Sequence, residues 1–336
     1  MTLFVIVLIL LALVFDFLNG FHDSANSIAT IVSTRVLKPQ WAVLWAAFFN
    51  FIAFLFFNVH VGTTIGTGIV DILVIDPMVI CSALLAAVFW NVLTWYYGIP
   101  SSSSHALIGG VIGSVIAKSG IHFVNFQGLI KILISIVASP VLGIVLGALL
   151  MLCTFRLFFK STHHKANKIF RKLQLLSSAL VSLGHGGNDA QKTMGIIAAL
   201  LFSEKLIGPV FYIPVWVVLL CNFVMALGTL FGGWRIIRTM GMKITKLSPA
   251  YGFCAETAAA FSLFLATHLG IPVSTTHTIT GAIVGVGSLQ NISTVRWGIA
   301  RRIVWAWIIT IPATVLLASC FWVVTAFLVR LFGLAC

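Results

Sequence analysis

The sequence predicts an all-α polytopic membrane protein made of two inverted-topology repeats, with broken or re-entrant helices around a midplane site. Three observations predict it. Of 336 residues, 60% are hydrophobic and only 8% charged, against about a quarter charged in a soluble domain. Apolar runs recur along the whole chain. The stretch Gly98-Ile-Pro-Ser-Ser-Ser-Ser-His105 returns as Gly270-Ile-Pro-Val-Ser-Thr-Thr-His277, each copy closing an apolar segment and opening a Gly-rich one.

Runs long enough for a hydrocarbon core of roughly 30 Å begin near residues 2, 40, 78, 104 and 128, and again near 177, 206, 248, 277 and 299. They read as about ten crossings, although a hydropathy window counts the arms of a re-entrant hairpin as spans. The first run has no basic n-region and contains Asp16 and Asn19, so it reads as a retained span and not a cleaved signal. The expected organisation is a first transmembrane repeat at 1–153, a basic cytoplasmic linker at 154–176 and a second repeat at 177–336. Asp23 and Asp189 are 166 residues apart and Pro100 and Pro272 are 172 apart, so one offset nearly serves both landmarks.

The net charge of +13 excludes little until it is placed. With the N-terminus outside, Arg35, Lys38, the central cluster Arg156 to Lys172, the run Arg235 to Lys246, and Arg296, Arg301 and Arg302 fall inside, 15 of the 20 basic residues. This distribution predicts a multi-pass protein of the cytoplasmic membrane, with the central basic loop cytoplasmic and both termini outside. It gives no support to a nucleic-acid partner. An odd number of crossings per half makes the second half enter from the opposite side.

Asp16, Asp23, Asp189 and Glu256 lie within or beside apolar runs. An Asp or Lys at a helix centre costs roughly 2.5–3.5 kcal/mol on insertion scales, so each needs a bound cation, a proton or a partner. Asp23 lies in Asn19-Gly-Phe-His-Asp-Ser-Ala-Asn26 and Asp189 in Gly184-His-Gly-Gly-Asn-Asp-Ala-Gln-Lys192. Lys192 is at i,i+3 from Asp189, a spacing that permits pairing on a helix. Asp16 lacks a clear partner in the other half and reads as structural.

In both copies of the duplicated motif a Pro precedes clustered hydroxyls, and Gly109-x-x-x-Gly113 or Gly281-x-x-x-Gly285 follows. Pro favours a first helical turn and Ser or Thr caps free N–H groups, so each motif reads as the N-terminus of a half-helix. Such an end concentrates N–H donors and positive dipole. Two of them meeting near the midplane would suit a tetrahedral oxyanion. The paired glycines predict close helix approach, within the protomer or at a dimer contact. His105, His185 and His277 read as packing or hydrogen-bonding residues, because no His-x-x-x-His spacing occurs. The cysteines at 81, 153, 221, 254, 320 and 336 have no Cys-x-x-C pairing and read as small core residues.

Through Gly20-Phe-His-Asp-Ser-Ala-Asn26, Gly98-Ile-Pro-Ser-Ser-Ser-Ser-His105, His185-Gly-Gly-Asn-Asp-Ala-Gln-Lys192 and Gly270-Ile-Pro-Val-Ser-Thr-Thr-His277, the chain resembles the inorganic phosphate transporter (PiT) family over nearly its whole length, in its bacterial low-affinity permease type. The resemblance implies cation-coupled symport of orthophosphate, commonly by a homodimer, with no cofactor and no catalysed reaction. It assigns Ser102, Ser103, Ser104, Ser274, Thr275 and Thr276 to the phosphate pocket with Asn26, Gln191 and Lys192. Asp23, Asn188, Asp189, Glu256 and His22 form the coupling set. Many relatives read Asn-Asp where this chain has His22-Asp23, and an imidazole does not obviously join an oxygen cage for sodium. This favours H+ as the coupling ion over Na+, with sodium at Asp23 and Asp189 as the alternative. Sulfate or another tetrahedral oxyanion is the rival substrate. An intramembrane hydrolase using Ser104 or Ser274 is the rival of another class, and a passive channel a third.

Overall fold

The computed structural model describes residues 3–332, and among these the chain is almost wholly helical. Its helices are α1 (Leu3–Ser33), α2 (Pro39–Ile52), α3 (His60–Thr67), α4 (Pro77–Tyr97), α5 (Ser103–Ser119), α6 (Phe126–Phe158), α7 (His163–Ser203), α8 (Val215–Phe231), α9 (Trp234–Arg238), α10 (Pro249–His268), α11 (Thr275–Gln290) and α12 (Trp297–Phe332). Five of them are individually long and apolar enough to cross a membrane. Two bent pairs pass the same test when taken together, α2 with α3 at 81° and α8 with α9 at 61°. At 41 residues α7 is about 60 Å long at the helical rise. Its polar centre, and not its length, lowers its apolar signal. The basic stretch 154–176 is carried by the ends of α6 and α7, with only residues 159–162 between them.

The duplicated motifs turn hairpins, and by length and composition five helices, or up to seven spans with each bent pair counted as one, can cross a membrane, fewer than the ten runs read from the sequence. Both ends of the α4–α5 hairpin lie together: Asp71 N donates to Phe123 O and Asn125 N to Ile69 O, and Lys118 Nζ sits 2.7 Å from Asp76. Arg296 N donates to Ile244 O and ties the ends of α10–α11 in the same way. Each hairpin therefore enters and leaves on one side. A hydropathy window sums composition and is blind to this reversal of direction. At the tips, Gly98 (φ 63°) and Gly270 (φ 67°) adopt the left-handed conformation that ends a helix without a Cβ penalty. Ser102 and Ser274 then cap α5 and α11, each side chain accepting from the backbone N–H three residues on at 3.2 Å.

The halves are packed through each other. Helix α5 lies on α12 and α11 on α6, while α1 lies on α8 and α7 on α2. The paired glycines serve these contacts inside the protomer: Gly109 and Gly113 face the backbone of Ile311 and Val315, and Gly281 and Gly285 face Pro140 and Ile144. Two apolar cores result. One gathers Val5, Leu8 and Phe15 of α1 with α4, α5 and the end of α7. The other gathers Ile28 and Ile31 of α1 with α10 and α11. A polar layer on α1 and α7 separates them.

Candidate functional site

Helices α1 and α7 build the site between them. Contacts run in opposite order along the two: Asp16 accepts from Thr193 Oγ1 at 2.8 Å, and Thr34 donates to Gln174 at 2.9 Å. The helices are thus antiparallel, and a seam of buried polar side chains follows both. On α1 the seam is Asp16, Asn19, Asp23, Asn26 and Thr30, continued by Thr34 just past the helix end, spaced three or four residues apart as one helical face requires.

The tips of both hairpins meet this seam at its centre, with matching pairings. Each carboxylate takes the hydroxyl three residues after the Pro of its own half's motif: Ser103 Oγ is 2.6 Å from Asp23 Oδ2, and Thr275 Oγ1 is 3.0 Å from Asp189 Oδ2. The residue three positions after each carboxylate reaches the next hydroxyl along in the other half's motif. Asn26 Nδ2 donates to Thr276 at 3.0 Å, and Lys192 donates to Ser104. Ser103 also lies 2.6 Å from Asn19 Oδ1, Asn26 also donates to Thr275 at 3.0 Å, and Thr276 stands 3.5 Å from Asp23.

Charge at the centre is dense and buried. One oxygen each of Asp23 and Asp189 and a ring nitrogen of His185 lie within 4.8 Å of one another. Two bare carboxylates at that separation would repel by about 3.5 kcal/mol at an effective dielectric near 20. The expected i,i+3 pair forms: Lys192 donates to Asp189 and to Val273 O at 3.1 Å. His185 Nε2 is 3.2 Å from Asp189 Oδ2 and its Nδ1 3.3 Å from Asn50 Oδ1. His22 Nδ1 is 2.7 Å from Asp23 Oδ1, and its Nε2 is 3.1 Å from Thr94 Oγ1, which also accepts from Ser101. The rings of His105 and His277 meet edge to face, 4.9 Å apart, and His277 stacks on Trp307. The two carboxylates, Lys192, the four tip hydroxyls that meet them and these four imidazoles are each at most 3% exposed.

Of the sequence-predicted residues, His22, Asp23, Asn26, Asp189, Lys192, Ser103, Ser104, Thr275 and Thr276 converge. Ser102 and Ser274 lie at the same tips with their hydroxyls engaged as caps. Gln191 turns away: its Nε2 donates to Asn58 O at 2.7 Å and its Oε1 accepts from Gly62 N at 3.1 Å, stitching the break between α2 and α3. Asn188 donates to Thr267 Oγ1 at 3.1 Å, beside the α10 end of the second tip. Glu256 heads a separate cluster one turn further along α1, accepting from Thr30 at 2.6 Å, Gln174 at 2.9 Å and Ser177 at 2.5 Å. Asp16, which the sequence left without a partner, has one in the second half, Thr193. Sequence reasoning missed Asn19, Thr30, Thr94, Gln174, Ser177 and Thr193. The three-to-four spacing of polar residues on α1 was the signal that could have found those on that helix.

A cavity of about 540 Å³, lined by His60, Thr64, Lys131, His268 and Gly270 among others, reaches the second tip at Pro272. Beyond it Ser274, Thr275 and Thr276 are sealed. Ser104 is bonded to Lys192 and Ser274 to a backbone N–H, an arrangement with no serine–imidazole pair for hydrolysis.

The model of the phosphate transporter family matches residues 19–318. A Rhizobium meliloti (strain 1021) protein described as a probable low-affinity inorganic phosphate transporter is 62% identical over 312 residues, covering 93% of each chain. One of the same description from Bacillus subtilis (strain 168) is 46% identical over 94% of this chain and 95% of its own. A solved structure described as the sodium-dependent phosphate transporter superposes with a TM-score of 0.87 at 27% identity, covering 97% of this chain and 100% of that one. These relatives are transporters and not enzymes, and a multi-pass helical chain whose two hydroxyl-capped helix ends face two buried carboxylates belongs with them, in the phosphate transporter family.

Proposed function

We propose that this protein carries inorganic phosphate across the cytoplasmic membrane with a coupling cation, by alternating access of its two repeats around the paired helix ends. The observation that carries the reading is the meeting of the α5 and α11 N-termini at Asp23 and Asp189. The first turn of each helix leaves N–H groups without intrahelical partners, and its dipole favours an anion. Ser103, Ser104, Thr275 and Thr276 add hydroxyl donors. Phosphate keeps a proton near neutral pH where sulfate does not, so the carboxylates favour phosphate by accepting from it and work against the rival sulfate.

The same carboxylates oppose an incoming anion until they are screened. Cation loading at this carboxylate pair is therefore the coupling step. A proton is the favoured ion, because the side chain 2.7 Å from Asp23 is the imidazole of His22, which can carry a proton but adds no oxygen to a cage for sodium. Sodium is the second reading, supported by the likeness in fold to a transporter described as sodium-dependent. The exposed basic residues at the start of α7 support placing that end in the cytoplasm.

The test is accumulation of labelled phosphate in liposomes under a proton gradient, a sodium gradient or neither, with sulfate as competitor. Proton-driven, sulfate-resistant accumulation is expected, with Asp23→Asn and Asp189→Asn abolishing it in protein that still reaches the membrane. A sodium requirement overturns the proton assignment. Normal uptake in both variants overturns the coupling scheme.

A further inference from the structure

We infer that the ammonium of Lys192 is a built-in substitute for one coupling cation, so that the centre takes an exchangeable cation on the Asp23 side only. The inference rests on the symport reading above. Lys192 is 1% exposed, and its ammonium is met by oxygens of three kinds: the Asp189 carboxylate, the Ser104 hydroxyl and the Val273 carbonyl. Carboxylate, hydroxyl and main-chain carbonyl oxygens are the ligands a hard metal cation takes. An ammonium has three N–H donors, and all three are engaged, which leaves none for phosphate.

The internal duplication supplies the control. Asp23 has a hydroxyl partner equivalent to that of Asp189, but the residue three positions on is the neutral Asn26, which donates to Thr275 and Thr276. The ionisable neighbour of Asp23 is the His22 ring. Each of the two carboxylates within 4.8 Å has an imidazole beside it, His22 for Asp23 and His185 for Asp189, but Asp189 has a permanent cation attached to the chain and Asp23 must acquire its own. The outcome is one transported cation fewer per phosphate than a centre with two open carboxylates would carry. A merely structural ion pair predicts something else, lost stability with unchanged cation dependence.

The test is Lys192→Asn, which gives the second half the residue type of the first. Wild-type uptake is expected to be first-order in the coupling cation. In Lys192→Asn, uptake without added sodium should fall roughly 100-fold, the scale of leaving one intramembrane carboxylate uncompensated. Added sodium should restore it, with the total order in coupling cations rising from one to two and one more charge moved per phosphate. Unchanged order and charge ratio overturn the inference. If the variant does not transport, sodium titration of thermal unfolding of the purified protein decides. A sodium-dependent rise larger than in wild type, and lost again in Asp189→Asn/Lys192→Asn, supports the substitution. An equal or absent rise overturns it. Wild-type protein that carries no phosphate refutes the transport reading instead, and the sodium titration still scores Lys192.

Discussion

Gln191 and Ser24 are in the signature stretches, yet their bonds hold backbone. Gln191 bridges Asn58 O and Gly62 N at the break between α2 and α3, and Ser24 accepts from Gly233 N at 2.7 Å at the break between α8 and α9. An open backbone group at membrane depth needs such a partner, since no water replaces it. Gln191→Ala should therefore lower the unfolding free energy by about 1–3 kcal/mol, the cost of unsatisfied buried groups, and leave the order in coupling cation unchanged. Denaturant titration in detergent beside cation-dependent uptake checks both. Residue chemistry was legible in the sequence wherever a polar side chain interrupted an apolar run, which is how Asp23, Asp189 and the hydroxyl clusters stood out. Direction was not. Nothing in the spacing distinguishes Gln191, facing a helix break, from Lys192 beside it, facing the centre.

At the scale of elements, the hairpins depend on contacts too close for any side chain. A Cβ on Gly281 would lie 2.8 Å from Pro140 Cα, against backbone that has no room to yield, whereas one on Gly298 in the first turn of α12 would meet nothing within 4 Å. Gly281→Leu should abolish the folded protein in size-exclusion and thermal-unfolding measurements. Gly298→Ala should be neutral or stabilise by up to about 1 kcal/mol through helix propensity. The glycine pattern announced close packing in the sequence but not the partner, because α6 and α12 lie far away along the chain. The surplus of expected crossings arose from the same source. A hydropathy window does not report that two apolar segments fold back on each other, as the bond of Arg296 to Ile244 holds the ends of α10 and α11 together.

For the whole molecule, the exchange of partners between halves makes neither half complete. Helix α5 has its glycine face covered by α12, and α11 has its own covered by α6. A chain cut within residues 159–162 should give halves that are unstable singly. Co-expressed, they should copurify and regain phosphate uptake. Uptake by either half alone would contradict the arrangement. The exchange also sets an order of biogenesis. Residues 98–119, which turn the first tip and form α5, leave the ribosome early, but their cover is the last helix made. At about 5–20 residues per second, the polar tip waits on the order of tens of seconds in the bilayer with its glycine face open. During that interval the nascent chain depends on lipid, the insertion machinery or a chaperone to shield the surface that α12 finally closes.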